Sequence, residues 1–194
     1  MVKYNSLSFS KMEIIKTDIE GVLIIKPRIF GDDRGYFYES YNRNALKELV
    51  PQIPDFVQDN QSYSTYGVLR GLHFQKAPYA QAKLVRVVSG KVLDVAVDLR
   101  PGSPTFGRHV SVELSGENHL QFFIPEGFAH GFSVLSHEVV FQYKCSSYYN
   151  KESEGGIIFN DPALGIDWKL PEMDIILSPK DRLHPTLAQY IKSL

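Results

Sequence analysis

In the stretch Leu69-Arg-Gly-Leu-His-Phe-Gln75, an arginine and a histidine stand three residues apart among apolar neighbours. A neutral imidazole can take a proton, and a guanidinium beside it can bind an anion. The same pattern also suits a hydrogen-bonded core histidine with a surface arginine. In a regular strand Arg70 and His73 point to opposite faces. They line one pocket only if the pleat breaks, and Gly71 is the place for a bulge. Further along, His130 stands between apolar residues after the turn Ile124-Pro-Glu-Gly-Phe-Ala. Tyr143 closes an apolar run in Gln142-Tyr-Lys144, either as a core ring with a surface hydroxyl or as a proton donor. Gln58 and Asn60 share one face of an extended segment, where amides suit hydroxyl recognition or solvated edge positions.

A metal is the rival use for the six histidines, at 73, 109, 119, 130, 137 and 184. Non-haem centres on jelly rolls typically take close histidines and a carboxylate in open geometry. The chain has no His-x-His pair, no His-Glu-x-x-His and no glycine-rich phosphate loop. The spacing argues against a metal centre. Cys145 is the single cysteine, which excludes an intramolecular disulfide and a cysteine-based zinc cluster. Its apolar run, Val139-Val-Phe141, suits a buried inert thiol better than a nucleophile.

Strands have to position these groups. Short β-branched or aromatic runs fall at residues 22–25, 36–38, 83–88, 110–114, 119–124, 132–135, 139–143 and 156–159. Within residues 84–99 the pair Ser89-Gly90 separates two runs and predicts a tight hairpin turn. In the second arm Leu93, Val95, Val97 and Leu99 alternate with Asp94, Ala96 and Asp98, a period of two with one face buried. Helical signal is confined to residues 42–50, stopped by Pro51, and to residues 185–191, with Pro185 in the first helical position. About ten short strands without repeats or linkers predict an all-β sandwich or barrel, with a jelly roll the best fit.

The chain has 194 residues, with 21 Lys+Arg against 22 Asp+Glu, 43% hydrophobic and 12% aromatic. That composition is globular, and its charge gives no footprint for nucleic acid or an anionic membrane. No apolar stretch approaches the ~18 residues of a transmembrane span. Residues 1–11 are polar and lack the apolar core of a signal peptide, so they read as a disordered extension before one domain at 12–194. A cytoplasmic location is expected.

Several segments, taken in order, point further: Phe30-Gly-Asp-Asp-Arg-Gly35 with Glu39-Ser-Tyr41, Val57-Gln-Asp-Asn60, Leu69-Arg-Gly-Leu-His-Phe-Gln75, Lys83-Leu-Val-Arg86, Ser103-Pro-Thr-Phe-Gly107, residues 124–132 and Tyr143-Lys144. In this order they resemble the dTDP-4-dehydrorhamnose 3,5-epimerase family, over about residues 12–185. The resemblance implies a cupin jelly roll, a homodimer with strands exchanged between subunits, and neither metal nor organic cofactor. The implied substrate is dTDP-4-dehydro-6-deoxyglucose, whose C4 ketone acidifies the protons on C3 and C5. Its epimerisation needs a base, an acid opposite it and a donor at the ketone oxygen.

By the same resemblance His73 matches the base, and Asp181, in Ser178-Pro-Lys-Asp181, the carboxylate paired with it. Tyr143 matches the acid and Lys83 the cation near the C4 oxygen. Arg34, Glu39, Gln58, Asp59, Asn60, Arg70, His130, Glu154 and Lys180 match positions that contact sugar, pyrophosphate or nucleotide. Tyr149 matches the ring that stacks on thymine, with Tyr148 its neighbour. Some of these contacts are expected from the partner subunit. Alternatives are a C3-only epimerase, a carbohydrate-binding module that needs no base, acid and lysine together, and a metal-dependent cupin oxygenase that lacks its ligand spacing here.

Overall fold

Short amphipathic strands bury their apolar faces by stacking two sheets. In the computed structural model, which describes residues 12–193, this is the arrangement adopted; the extension expected at residues 1–11 lies outside the described residues. The strands are β1 (Glu13–Lys16), β2 (Leu23–Lys26), β3 (Phe30–Asp32), β4 (Gly35–Phe37), β5 (Gln58–Thr65), β6 (Leu69–Gln75), β7 (Lys83–Ser89), β8 (Lys91–Asp98), β9 (His109–Ser115), β10 (Gln121–Ile124), β11 (Phe128–Val134), β12 (Glu138–Cys145) and β13 (Glu154–Gly156). One sheet has the order β1-β2-β10-β7-β12-β5 and the other β13-β6-β11-β8-β9. β3 and β4 form a separate ribbon. The result is an all-β jelly roll of the cupin type, and among the described residues no helix is long and apolar enough to cross a membrane.

Between the sheets lies a core that includes Val85, Val87, Phe122, Phe141, Val92, Ala96, Phe128 and Phe132. A second core covers the other face of the five-stranded sheet, where Leu69, Leu72, Val95 and Val97 meet Ile157, Leu164, Trp168 and Leu187 from the C-terminal segment. A third sets Leu46 of helix α1 (Arg43–Leu49), with Val50 and Ile53, against Leu23, Ile25, Leu84 and Phe123. Asn42 caps α1, accepting from Ala45 N–H as an N-cap should. Helix α2 (Leu187–Ile191) starts two residues later than Pro185 suggests, because Thr186 and Gln189 form a capping box.

Three expectations are corrected. Ser89-Gly90 makes a turn but no hairpin, since β7 and β8 belong to different sheets. Turn chemistry specifies a reversal, not which strand becomes the neighbour. Gly90 has φ +85°, and a Cβ there would lie 2.0 Å from the Glu138 carbonyl oxygen, so the chain switches sheets where no side chain fits. Second, β8 is buried on both faces. Its Leu/Val face is covered by the C-terminal segment, while Asp94, Ala96 and Asp98 point into the space between the sheets. Third, the aromatic run at 36–38 joins only the exposed β3–β4 ribbon, leaving Tyr36 and Phe37 exposed.

Asp98 shows how a buried carboxylate is accommodated at the end of β8. It is 0% exposed and accepts from Arg100 Nε at 2.9 Å, Arg100 Nη2 at 2.7 Å, Ser103 Oγ at 2.6 Å and Thr105 Oγ1 at 2.6 Å. Burial by itself would raise its pKa; the Arg100 guanidinium and the two hydroxyls outweigh that and hold the carboxyl well below the usual range. We predict that Asp98→Asn lowers unfolding stability by about 2–4 kcal/mol, since it removes one side of a buried ion pair. A depressed carboxyl contributes in full above its unfolded pKa of about 3.9 and loses that contribution as pH falls toward the folded value. Urea denaturation should therefore show a wild-type advantage that is constant from about pH 5 to 8 and shrinks only in strong acid. An equal advantage at pH 3 and pH 7 would contradict this account.

Candidate active site

The break in the pleat of β6 builds the site. His130 pairs with His73 and Phe132 with Arg70, so Gly71 and Leu72 together oppose the single residue Gly131. This bulge turns Arg70 and His73 to the same side, toward the space between the sheets. Two glycines allow it. Gly71 has φ +130°, and a Cβ on it would stand 2.5 Å from Gly131 Cα; a Cβ on Gly131 would stand 2.7 Å from the Arg70 carbonyl oxygen. Leu72 turns the other way and is fully buried in the second core.

Between the sheets is a cavity of about 570 Å³, lined by Asn60, Arg70, His73, Lys83, His130, Phe132, Phe141, Tyr143, Lys180 and Asp181 among others. Asp181 is brought there by the 3-10 turn Asp181–Leu183, with its N–H donating to Ser178 Oγ at 3.1 Å. Its Oδ1 lies 2.5 Å from His73 Nε2. With Nε2–H donating to the carboxylate, Nδ1 of His73 carries the free lone pair. Burial raises the Asp181 pKa, but the hydrogen bond and charge of His73 and the Ser178 contact reverse this and leave the carboxyl below its ordinary value.

The opposing sheet supplies Tyr143 from β12, Asn60 from β5 and Lys83 from β7. Burial pushes Tyr143 up, with the nearby Arg70 charge opposing, and pushes Lys83 down, with Cys145 and Asp94 opposing. Lys83 Nζ is 6.0 Å from the Tyr143 ring centroid. A second histidine–carboxylate pair lies deeper, with His130 Nε2 2.9 Å from Asp94 Oδ1. There burial dominates both partners, raising Asp94 and lowering His130. Phe132 and Phe141 stack at 4.2 Å beside them. Arg70 is steadied by its Nε–H donating to Ser64 Oγ at 3.1 Å. Cys145 is buried as expected, with Asn60 Nδ2–H donating to its sulfur at 3.6 Å.

At the rim, Gln58 donates to Asn60 Oδ1 at 2.9 Å and accepts from the Tyr149 backbone N–H at 3.1 Å. Lys180 donates to Glu154, which also bonds the exposed Tyr149. Three expected binding residues are not brought to the cavity. Arg34 is 89% exposed in the β3–β4 turn and pairs with Asp32. Glu39 accepts from Asn42 Nδ2 at 3.1 Å, and Asp59 pairs with Lys144 at 2.8 Å on the opposite face of β5.

The sequence reading missed Asp94 and His184. Asp94 was hidden by the alternation of β8, which suggests a polar outer face; the available signal was an acid inside an otherwise apolar strand. His184 completes a group in which His73, Asp181 and His184 offer ligand atoms within 4.8 Å of one another, from positions no spacing search links. The 2.5 Å contact between His73 and Asp181 is that of a hydrogen bond, shorter than the roughly 3 Å between two ligands each about 2 Å from a zinc ion.

The family model for dTDP-4-dehydrorhamnose 3,5-epimerase matches residues 16–189. The chain belongs to this family. It is an enzyme of the epimerase class, and it is 54% identical over 182 residues to the dTDP-4-dehydrorhamnose 3,5-epimerase of Escherichia coli K12, covering 93% of this chain and 97% of that one. The crystal structure of a dTDP-6-deoxy-D-glucose-3,5-epimerase from Legionella pneumophila, in complex with dTDP-4-keto-L-rhamnose, superposes with a TM-score of 0.88 at 55% identity, over 91% of this chain and 93% of that one. A 3'-monoepimerase from Streptomyces bikiniensis, in complex with dTDP-quinovose, is similar at 35% identity and a TM-score of 0.84, over 91% and 89% of the two chains.

For this epimerase the bulge gives a direct test. Gly71→Ala combines a backbone angle disfavoured for L-residues with a Cβ inside the packing distance of β11. We predict a loss of about 2–4 kcal/mol of stability. An unchanged urea midpoint would show that the strand can relax without its glycine.

Proposed function

We propose that the protein epimerises dTDP-4-dehydro-6-deoxy-D-glucose at C3 and C5 to dTDP-4-dehydro-L-rhamnose, without metal or organic cofactor, as a step of dTDP-L-rhamnose biosynthesis in the cytoplasm. The observation that carries this reading is the placement of His73–Asp181 and Tyr143 on opposite sheets of one cavity that also holds Lys83. The 54% identity to the Escherichia coli enzyme supports the two-centre reaction.

His73 Nδ1 takes the proton from C3 or C5 on one face of the sugar. The C–H electron pair moves into the ring as an enolate, with the negative charge on the C4 oxygen. Lys83 and His130, both desolvated by burial, are the polar groups available to that oxygen. Asp181 holds the imidazole tautomer and stabilises the imidazolium. Tyr143 then gives its phenolic proton to the carbon from the other face, inverting it. The enzyme is left with a protonated His73 and an ionised Tyr143, and exchange with solvent restores both. Arg70 and Lys180 take the pyrophosphate by charge-assisted hydrogen bonds, Glu154, Gln58 and Asn60 the polar groups of the ligand, and Tyr149 stacks on thymine.

The working form is a homodimer, which accounts for the residues left outside the cavity. Arg34 and Glu39 belong to a ribbon and its following turn that expose Phe30, Tyr36 and Phe37, and among the described residues β5 is a free sheet edge carrying Gln58 and Asn60. A second copy's ribbon against this region brings Arg34 and Glu39 to the ligand. Asp59 serves from the outer face of β5 by anchoring Lys144. Sedimentation at several concentrations checks the assembly, and a monomer at working concentration would contradict it.

Incubation with the substrate in deuterated water tests the reaction: deuterium is expected at both C3 and C5. Label at C3 alone would mark a single-centre epimerase, and label at neither a binding module. His73→Asn should lower turnover by ~10²–10⁴ while leaving dTDP affinity nearly unchanged. Tyr143→Phe removes only the phenolic proton, so it should form little inverted product yet still exchange substrate protons with solvent. Ordinary inversion by the Phe variant would show that another group is the acid.

A further inference from the structure

His184 has no part in the proton transfers above, yet its ring lies against both members of the dyad. Its side chain is 10% exposed, and Nε2 is buried without a hydrogen-bond partner, 3.5 Å from Asp181 Oδ1. The ring meets the His73 ring edge to face, with centroids 5.4 Å apart. Room for it is made by Gly156 of β13, which pairs directly with His73. A Cβ on Gly156 would come within 2.4–2.6 Å of three His184 ring atoms. The glycine therefore serves close approach and not an unusual backbone angle, and any side chain would evict the imidazole.

We propose that His184 is a positioning residue for the His73–Asp181 pair, seated in the notch left by Gly156 and pointing its Nε2–H at Asp181 Oδ1. This rests on the reading of His73 as the base. A lone pair on Nε2 would face a carboxylate oxygen at 3.5 Å, so the proton belongs on that nitrogen. His184 and His73 then share one acceptor atom. The second donor draws charge from the carboxylate and limits how strongly it holds the imidazolium form of His73. It also packs edge to face against the His73 ring and limits its rotation. Burial lowers the His184 pKa, with the His73 charge acting in the same direction and Asp181 against it, so the ring is a neutral donor at pH 7.

Other charged groups face this cluster. Asp181 and Lys180 come from the same turn as His184, Glu154 from β13, and His130 from β11 on the far side of His73. The groove outside His184 adds Lys76, Lys151, Glu152 and Tyr190. None of these contacts Asp181 Oδ1, so a change of donor at that atom reads out separately from the wider charge.

The test is the pH profile of kcat/KM in three variants. His184→Phe keeps the ring volume and removes the donor; the acid limb should move up by about 0.5–1 pH unit, the size of one modest hydrogen bond. His184→Gln retains an N–H of similar reach and should restore most of that shift. Gly156→Ala evicts the ring and should reproduce the shift with His184 intact. Thermal melts separate these effects from loss of fold, and the His184→Phe and His184→Gln pair stands even if Gly156→Ala misfolds. An unchanged acid limb in folded His184→Phe, or a shift that Gln does not reverse, overturns the proposal. Failure of the base assignment looks different: His73→Asn would then keep its turnover.

Discussion

Residues three apart in a regular strand face opposite ways. Arg70 and His73 face one cavity because Gly71 and Leu72 together occupy the place opposite Gly131. Flattening the bulge into a regular pleat, with every residue kept, would slip the register by one and exchange His73 for Leu72 along the rest of β6. An imidazole would then enter the dry core among Leu69, Val95 and Ile157, and a leucine would face the cavity. The bulge thus sets both the second core and the proton acceptor. It also sets the partner of His73 on the other side, since the register after the bulge places Gly156 next to His73 and leaves the notch that His184 fills.

Given this register, the interior holds two histidine–carboxylate pairs with opposite electrostatics. Asp181 is buried, yet hydrogen bonds and the His73 charge hold its pKa below the ordinary range. Asp94 is buried deeper, and desolvation raises it while lowering His130. The first pair favours an ionised carboxylate beside a half-open imidazole, which suits repeated gain and loss of a proton. The second favours a pair with little net charge and a fixed orientation, which suits hydrogen bonding to charge that appears only during reaction. Lys83, pushed down by burial, belongs to the second environment. Environments that push like groups apart let similar side chains take different tasks.

Much of this was legible in the sequence, but unevenly. The strands at 83–88 and 139–143, the helix capped by Asn42 and the break at Gly71 follow from local chemistry, and local chemistry decided them. The pairing of β7 and β8 does not follow, because Ser89-Gly90 encodes a turn while membership of a sheet depends on strands far along the chain. The alternation of β8 assigns Asp94 to the polar side of a strand with one buried face. In a barrel that holds a polar cavity, the polar side of such a strand is the inside, and the apolar side is covered by a segment sixty or more residues away. His184 carried no local signal at all. Its position depends on an absent side chain at Gly156, a feature visible only once β6 and β13 are paired.

The cavity and its rim obey different constraints. The two histidines and the arginine of the cavity are each held by a protein partner: Asp181 for His73, Asp94 for His130, Ser64 for Arg70. Arg34 lies at the other extreme. It is 89% exposed, and its ion pair is with Asp32 only two residues away, a solvated contact of the kind that contributes little to stability. Little free energy is therefore lost when Arg34 leaves Asp32 for a phosphate. Its ribbon exposes three aromatic rings, an apolar surface that association would cover. In the proposed dimer the reacting carbon meets only preorganised groups from within one barrel, while the pyrophosphate meets an arginine free to follow it. Recognition can then close over the ligand without disturbing the register on which proton transfer depends.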